Sequence, residues 1–251
     1  MKNYIKGFFM SFSMFTIIPL PFNPWDDDGA KYILTFYPLV GLVIGLLWYL
    51  LFKILLFVNT PVMIFTAAMM FLPHIVTGFL HLDGYMDICD ALLSRRNREE
   101  KLRILKDSHT GAFAVICLGL IFIVEYSAMG TLLIKNSNME ALILIPILIR
   151  TMMALIMAKM PILKESSLVA FFVKDIGKKE RLLIEVFGII ASIFLIFIMG
   201  VKGILFIGIL IGIVMIFVRN AYKELGGING DVAGYGLVIG EALSILLLSI
   251  M

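Results

Sequence analysis

A chain of 251 residues that is 61% hydrophobic and only 16% charged, with a mean hydropathy of +1.03, is far more apolar than a soluble domain. Soluble domains are about 45–50% apolar and about 25% charged. The composition excludes a soluble enzyme and specifies an integral membrane protein of one domain, residues 1–251, with the lipid bilayer as a partner and no nucleic acid.

The first apolar stretch, 5–20, starts beside Lys2 and Lys6 and ends at Pro19-Leu20-Pro21. It is short for a span, so it reads as an interfacial or re-entrant helix. It lacks the small-residue site of a cleavable signal. A transmembrane helix needs about 20 predominantly apolar residues. Runs of that kind occupy 33–57, 61–80, 112–134, 141–160, 184–200, 203–218 and 232–251. The expected fold is therefore all-α: a polytopic membrane helical bundle of about seven transmembrane helices plus the N-terminal element. Cys89 and Cys117 allow one disulfide at most and do not suggest a secreted framework.

With seven spans, seventeen of the 21 Lys and Arg residues fall on one side, and only Lys135 and Lys202 fall in loops on the other. Such asymmetry puts the basic side in the cytoplasm.

On that side, at the end of the second run, stands His81-Leu82-Asp83-Gly84-Tyr85-Met86-Asp87-Ile88-Cys89-Asp90. Asp83, Asp87 and Asp90 are spaced i, i+4, i+7, so a helix gathers them within about 60° of one face. Three like charges beside a membrane are costly unless a cation binds them, which points to a divalent metal site. The plainer alternative is a solvated acidic cap. His81 adjoins the acids and is a candidate ligand or general base. Gly84 would let a ligand approach the backbone.

A dense basic segment follows, with Arg95, Arg96, Arg98, Lys101, Arg103 and then Lys106-Asp107-Ser108-His109-Thr110-Gly111. Acids followed by cations suit a phosphate-bearing substrate: carboxylates hold a metal on its oxygens, and Arg95 and Lys106 clamp the rest. Amides and hydroxyls of the turn around Asp107 and Ser108 could hold further oxygens. The bias of cytoplasmic loops toward positive charge explains the same residues without a substrate. Further on, Gly226-Gly227-Ile228-Asn229-Gly230-Asp231 precedes the last run. Gly227 and Gly230 could wrap phosphate, and Asp231 could join the metal, although the loop is not a P-loop. A turn of small residues for helix packing is the alternative. His74, Glu125, Arg150 and Glu241 lie inside apolar runs, where an ionisable group is a functional candidate. Arg150 and Glu241 could pair or line a polar cavity that binds substrate.

These residues, taken together, resemble the adenosylcobinamide-GDP ribazoletransferase (cobalamin synthase) family over nearly the whole chain. The resemblance rests on Phe15–Pro21, on Tyr37-Pro38-Leu39-Val40-Gly41 with Gly45, on Gly78–Gly84 with Asp87 and Asp90, on Lys106–Gly111, and on Gly226–Asp231 with Glu241. Ile17 stands where many members carry Arg, Asn229 where the family has Thr, and Val238 where another acid is common.

The resemblance implies a late step of cobalamin biosynthesis in the prokaryotic cytoplasmic membrane, with the active site facing the cytoplasm. Adenosylcobinamide-GDP would join α-ribazole or its 5′-phosphate, with loss of GMP. It implies Mg²⁺ on Asp83, Asp87 and Asp90, with Asp231 completing the shell, and it is compatible with a homo-oligomer.

Other membrane enzymes acting on diphosphates are the nearest alternatives. A CDP-alcohol phosphotransferase would place Ala-Arg after its first acids, where this chain has Met86-Asp87, and a prenyltransferase would need a second Asp-rich motif. A cation transporter would place its acids mid-span and show an inverted repeat.

Overall fold

The computed structural model describes residues 2–20, 25–135, 138–164, 166–174 and 176–251; Pro21 of the N-terminal motif lies outside them. The elements in chain order are α1 (Lys2–Phe15), α2 (Asp27–Ala30), α3 (Ile33–Phe57), α4 (Val62–Val76), α5 (Leu80–Leu93) and α6 (Arg98–Ile104). They continue as α7 (Ala112–Lys135), α8 (Ala141–Lys159), α9 (Ser167–Val173), α10 (Lys178–Met199), α11 (Val201–Leu225) and α12 (Gly230–Ile250). One isolated bridge, Ile162 to Ile228, is the sole β pairing among the described residues. This is a polytopic membrane helical bundle.

Among the described residues, six helices are long and apolar enough to cross a membrane: α3, α7, α8, α10, α11 and α12. A seventh span requires α4 and α5 to act together, and the two are bent by 91°. This corrects the reading of 61–80 as one continuous span. The helix stops at Val76 because Gly78 (φ 60°) and Phe79 (φ 62°) are both left-handed. Two such residues in succession cannot continue a right-handed helix. The freed groups are satisfied locally: Phe79 N–H donates to the His74 carbonyl at 2.8 Å, and Thr77 Oγ1 donates to Pro73 and His74 carbonyls. Ile17, just after α1, donates its N–H to the Val76 carbonyl at 2.9 Å and packs on Gly78. The N-terminal segment thus fastens the end of α4, and α1 lies along α3.

Burial separates the centre of the bundle from its rim. α8 and α12 are buried through 72% of their apolar windows, against 22% for α7 and 28% for α10 and α11. The outer helices present Ile, Leu and Phe outward, as lipid requires. The α3–α8 contact is close because Gly41 and Gly45 meet the backbone of Pro146 and Ile143 directly. Small residues at a helix crossing let backbones touch where no hydrophobic drive exists between helices.

Four ionisable residues inside the helices pair with one another. Arg150 Nη1 donates to Glu241 Oε1 at 2.6 Å, joining α8 to α12, and the two side chains are 0% and 4% exposed. His74 Nε2 lies 3.0 Å from Glu125 Oε2, joining α4 to α7. α10 and α11 are linked by the single turn at Gly200, whose φ of 62° lets the chain reverse between Met199 and Val201.

Candidate active site

α5 carries the acids on one face. Asp83 is exposed and Asp87 and Asp90 are half-buried, while Gly84, Tyr85, Ile88, Cys89 and Ala91 turn into the bundle. α5 packs most extensively on α12, and the contact brings Asp231, in the first turn of α12, beside the acids. A Cβ added to Gly84 would stand 2.8 Å from Asp231 Cα, so only glycine allows this approach. One turn on, Gly234 of α12 meets the His81 backbone in the same way, at 3.0 Å from its carbonyl oxygen. The charges of Asp83, Asp231 and Asp90 all act on Asp87. Four carboxylates from two helices therefore share one negative field at the end of the bundle.

Asn229 sets Asp231. Its Oδ1 accepts the Val232 N–H at 2.9 Å and caps α12, and its Nδ2 donates to Asp231 Oδ2 at 2.6 Å. A side-chain acceptor at a helix N-cap satisfies an otherwise unpaired amide. The loop before it is held by two backbone bonds, Leu163 N–H to the Ile228 carbonyl and Ile228 N–H to the Pro161 carbonyl, each 2.9 Å.

The loop 106–111 closes on the acids from the other side. Gly111 lies so close under the Asp90 carboxylate that a side chain there would overlap it. Asp107 Oδ1 accepts from the His109 amide at 3.0 Å and meets His109 Nδ1 at 2.6 Å, and these bonds hold the Asp107 carboxyl below its ordinary range. Asp107, Ser108 and His109 are exposed.

A cleft of about 270 Å³ runs between Lys106 and the Asn229-Gly230-Asp231 turn. A second hollow of about 230 Å³ shares Gly230 and Asp231 with it and continues to His81 and Tyr37. Leu168 and Val169 of α9 border both. His81 is 6% exposed, and its Nε2 lies 3.1 Å from the Tyr37 hydroxyl. A ligand spanning the cleft and the hollow would meet Lys106 at one end, the Asp231 carboxylate in the middle and the His81 imidazole at the other. Among the described residues, no three His, Cys, Asp or Glu side chains stand close enough together to hold a metal ion by themselves.

Comparison with known proteins decides the family. The cobalamin-5-phosphate synthase family profile matches residues 7–249. The chain belongs to that family. A relative from Clostridium perfringens (strain SM101 / Type A), named adenosylcobinamide-GDP ribazoletransferase, is 47% identical over the whole of both chains. One of the same name from Clostridium botulinum (strain Alaska E43 / Type E3) is 42% identical over 98% of this chain and 97% of its own. A third, from Lachnoclostridium phytofermentans, is 30% identical over 96% of this chain and 92% of its own. No solved structure matches. The synthase family makes the protein a membrane transferase of cobalamin biosynthesis.

Several residues singled out in the sequence lie apart from the cleft of this family member. Arg95 lines a different cavity, beyond α6. Gly227 is buried against the Leu163 backbone, a packing contact. Arg150 and Glu241 form a buried ion pair, with Arg150 Nε and Nη2 left without a hydrogen-bond partner among the described residues. Arg98 Nε donates to the Leu225 carbonyl at 2.7 Å and caps the end of α11, where a cation also meets the negative end of the helix dipole. Sequence reasoning missed Tyr37 as the partner of His81 and α9 as the border of the cleft. A lone tyrosine in an apolar run gives a weak signal, and α9 is too short to stand out.

Proposed function

We propose that the enzyme transfers the cobinamide phosphoryl group of adenosylcobinamide-GDP to a ribose hydroxyl of α-ribazole or α-ribazole 5′-phosphate, with release of GMP and dependence on Mg²⁺. The observation that carries this reading is the convergence of Asp83, Asp87, Asp90 and Asp231 beside the Lys106 cleft. The relatives' shared name supplies the corrinoid and the ribazole.

The donor set is all carboxylate oxygen, which suits a hard cation. Mg²⁺ is usually held by one or two carboxylates together with substrate phosphates and waters. Acids that share a field without forming a closed cage fit an ion that arrives with a diphosphate. One or two of Asp83, Asp87, Asp90 and Asp231 would hold it, with diphosphate oxygens and waters supplying the other ligands. When bound, the ion would neutralise charge on the diphosphate as GMP departs.

The chain's own residues do the rest. Phosphoryl transfer asks a protein mainly for positioning and charge stabilisation. Lys106 holds diphosphate oxygens at its end of the cleft. Asn229 fixes the Asp231 carboxylate. His81, with Nε2 engaged by Tyr37, takes the hydroxyl proton at Nδ1 as the new P–O bond forms and the bond to GMP breaks. The positive residues on the same side support an active site facing the cytoplasm of a prokaryotic cell, where nucleotide substrates are found.

Membranes carrying the protein, given adenosylcobinamide-GDP, α-ribazole and Mg²⁺, should form adenosylcobalamin and GMP in equal amounts. Chelation should stop the reaction and added Mg²⁺ restore it. Asp83→Ala, Asp87→Ala and Asp90→Ala should each lower the rate by about 10²-fold or more, in line with the loss of a charge-stabilising group. Undiminished rates in all three would overturn the metal assignment.

A further inference from the structure

A second cavity, of about 630 Å³, lies on another face of α5. Its α5 residues, Tyr85, Cys89, Leu92 and Leu93, point on average about 140° away from the aspartates on a helix of 3.6 residues per turn. α6 separates the two spaces: Leu102 and Leu105 border the Lys106 cleft, whereas Lys101 borders this cavity. Its inner wall is aromatic. Tyr85 stacks on Tyr235 at 5.8 Å between ring centroids, and Phe217 meets Tyr235 edge-on at 6.3 Å.

The cavity runs along α12 from Tyr235 to Leu243, about 12 Å at 1.5 Å per residue. Its sides are α7 and α11, which both pack on α12 and scarcely on each other. Phe217, on the α11 side, is 38% exposed, so the space opens sideways toward lipid. The mouth is charged. Lys101, 6% exposed, is paired with Glu224. Arg95 has no hydrogen-bond or ion-pair partner among the described residues, and its backbone is left-handed, at φ 55°. A non-glycine residue held there is strained, and such strain is typical of ligand clamps.

We propose that this cavity binds one anionic glycerophospholipid of the surrounding bilayer. An acyl chain lies along Phe217, Tyr235, Ile239 and Leu243, and the phosphodiester meets Arg95 and Asn220. Lys101 and Glu224 cancel, so Arg95 leaves one net positive charge for the single negative charge of the head group. An apolar space of this depth beside lipid favours a hydrocarbon chain over water.

The test is lipid retention. Protein purified in detergent and stripped of lipid is offered phosphatidylglycerol or phosphatidylcholine, and bound lipid is counted by native mass spectrometry. One phosphatidylglycerol per chain is expected, with at least tenfold less phosphatidylcholine. Arg95→Glu should lower phosphatidylglycerol retention at least tenfold, while Arg96→Glu, an equal charge change at an exposed neighbour, should not. Leu243→Trp, which fills the deep end, should lower retention as well, with thermal melting confirming that each variant is folded. Equal retention of the two lipids, or unchanged retention in Arg95→Glu, would overturn the proposal. So would displacement of the lipid by α-ribazole 5′-phosphate, which would make the cavity a subsite for substrate.

Discussion

Gly84 of α5 rests on the backbone of Asp231 of α12, so that an added Cβ would lie 2.8 Å from the Asp231 Cα and 3.2 Å from its carbonyl oxygen. Backbone on both sides of the contact leaves nothing flexible to move. Overpacking of this kind typically costs 1–3 kcal/mol. Gly84→Ala should therefore separate the acids of the two helices, lowering transfer at least tenfold while the protein still inserts. Wild-type turnover in Gly84→Ala would show that Asp231 need not approach α5.

Asn229 performs two tasks, and substitutions separate them. Asn229→Thr keeps a capping oxygen but loses the amide that donates to Asp231. It should leave stability within a few tenths of a kcal/mol and lower the affinity for Mg²⁺ by about tenfold, the lower end for loss of an outer-shell partner. Asn229→Ala should lose the cap too, at about 1 kcal/mol. Titrating activity against Mg²⁺ and following thermal unfolding distinguish the two. Identical behaviour of the Thr and Ala variants in both measurements would count against the clamp.

The Arg150–Glu241 pair is a stability element. Glu241→Gln would leave a guanidinium that is 0% exposed without its counter-charge, and breaking a buried pair typically costs 3–5 kcal/mol. Replacing both residues by apolar ones of similar size should recover most of that loss, because the desolvation cost of both charges disappears with them. Thermal unfolding in detergent measures both. A single variant as stable as the double variant would remove the pair from the account of the core.

Tyr37→Phe keeps the ring and removes the hydroxyl that meets His81 Nε2 at 3.1 Å. A typical hydrogen bond contributes about 0.5–1.5 kcal/mol, so stability should change little. If the hydroxyl serves to orient the imidazole, kcat should fall by about tenfold while KM for both substrates holds. A fall confined to KM would assign Tyr37 to binding.

The acidic face was legible in the sequence, because its spacing needs only a helix to gather Asp83, Asp87 and Asp90. The mutual neutralisation of Arg150 and Glu241 was one of the readings open from their depth in the apolar runs. The break before α5 was hidden. Phe79 carries the second left-handed residue, and nothing in a phenylalanine advertises that backbone state. The division of cations between two cavities was equally hidden. Arg95 and Lys106 look alike in a basic segment, and only the docking of α6 against the end of α11 puts them on opposite sides. The role of Asn229 required knowing that α12 begins at Gly230.

The break at Gly78-Phe79 also orders the assembly of the enzyme. α4 is apolar and can enter the bilayer as it is synthesised, whereas α5 carries three aspartates and has its principal packing partner in α12, which is made much later. Contacts so distant along the chain form late, because loop closure is paid before they return anything. Until α12 arrives, the acidic segment lacks the backbone on which Gly84 rests. The α5–α12 contact is thereby tied to the synthesis of α12.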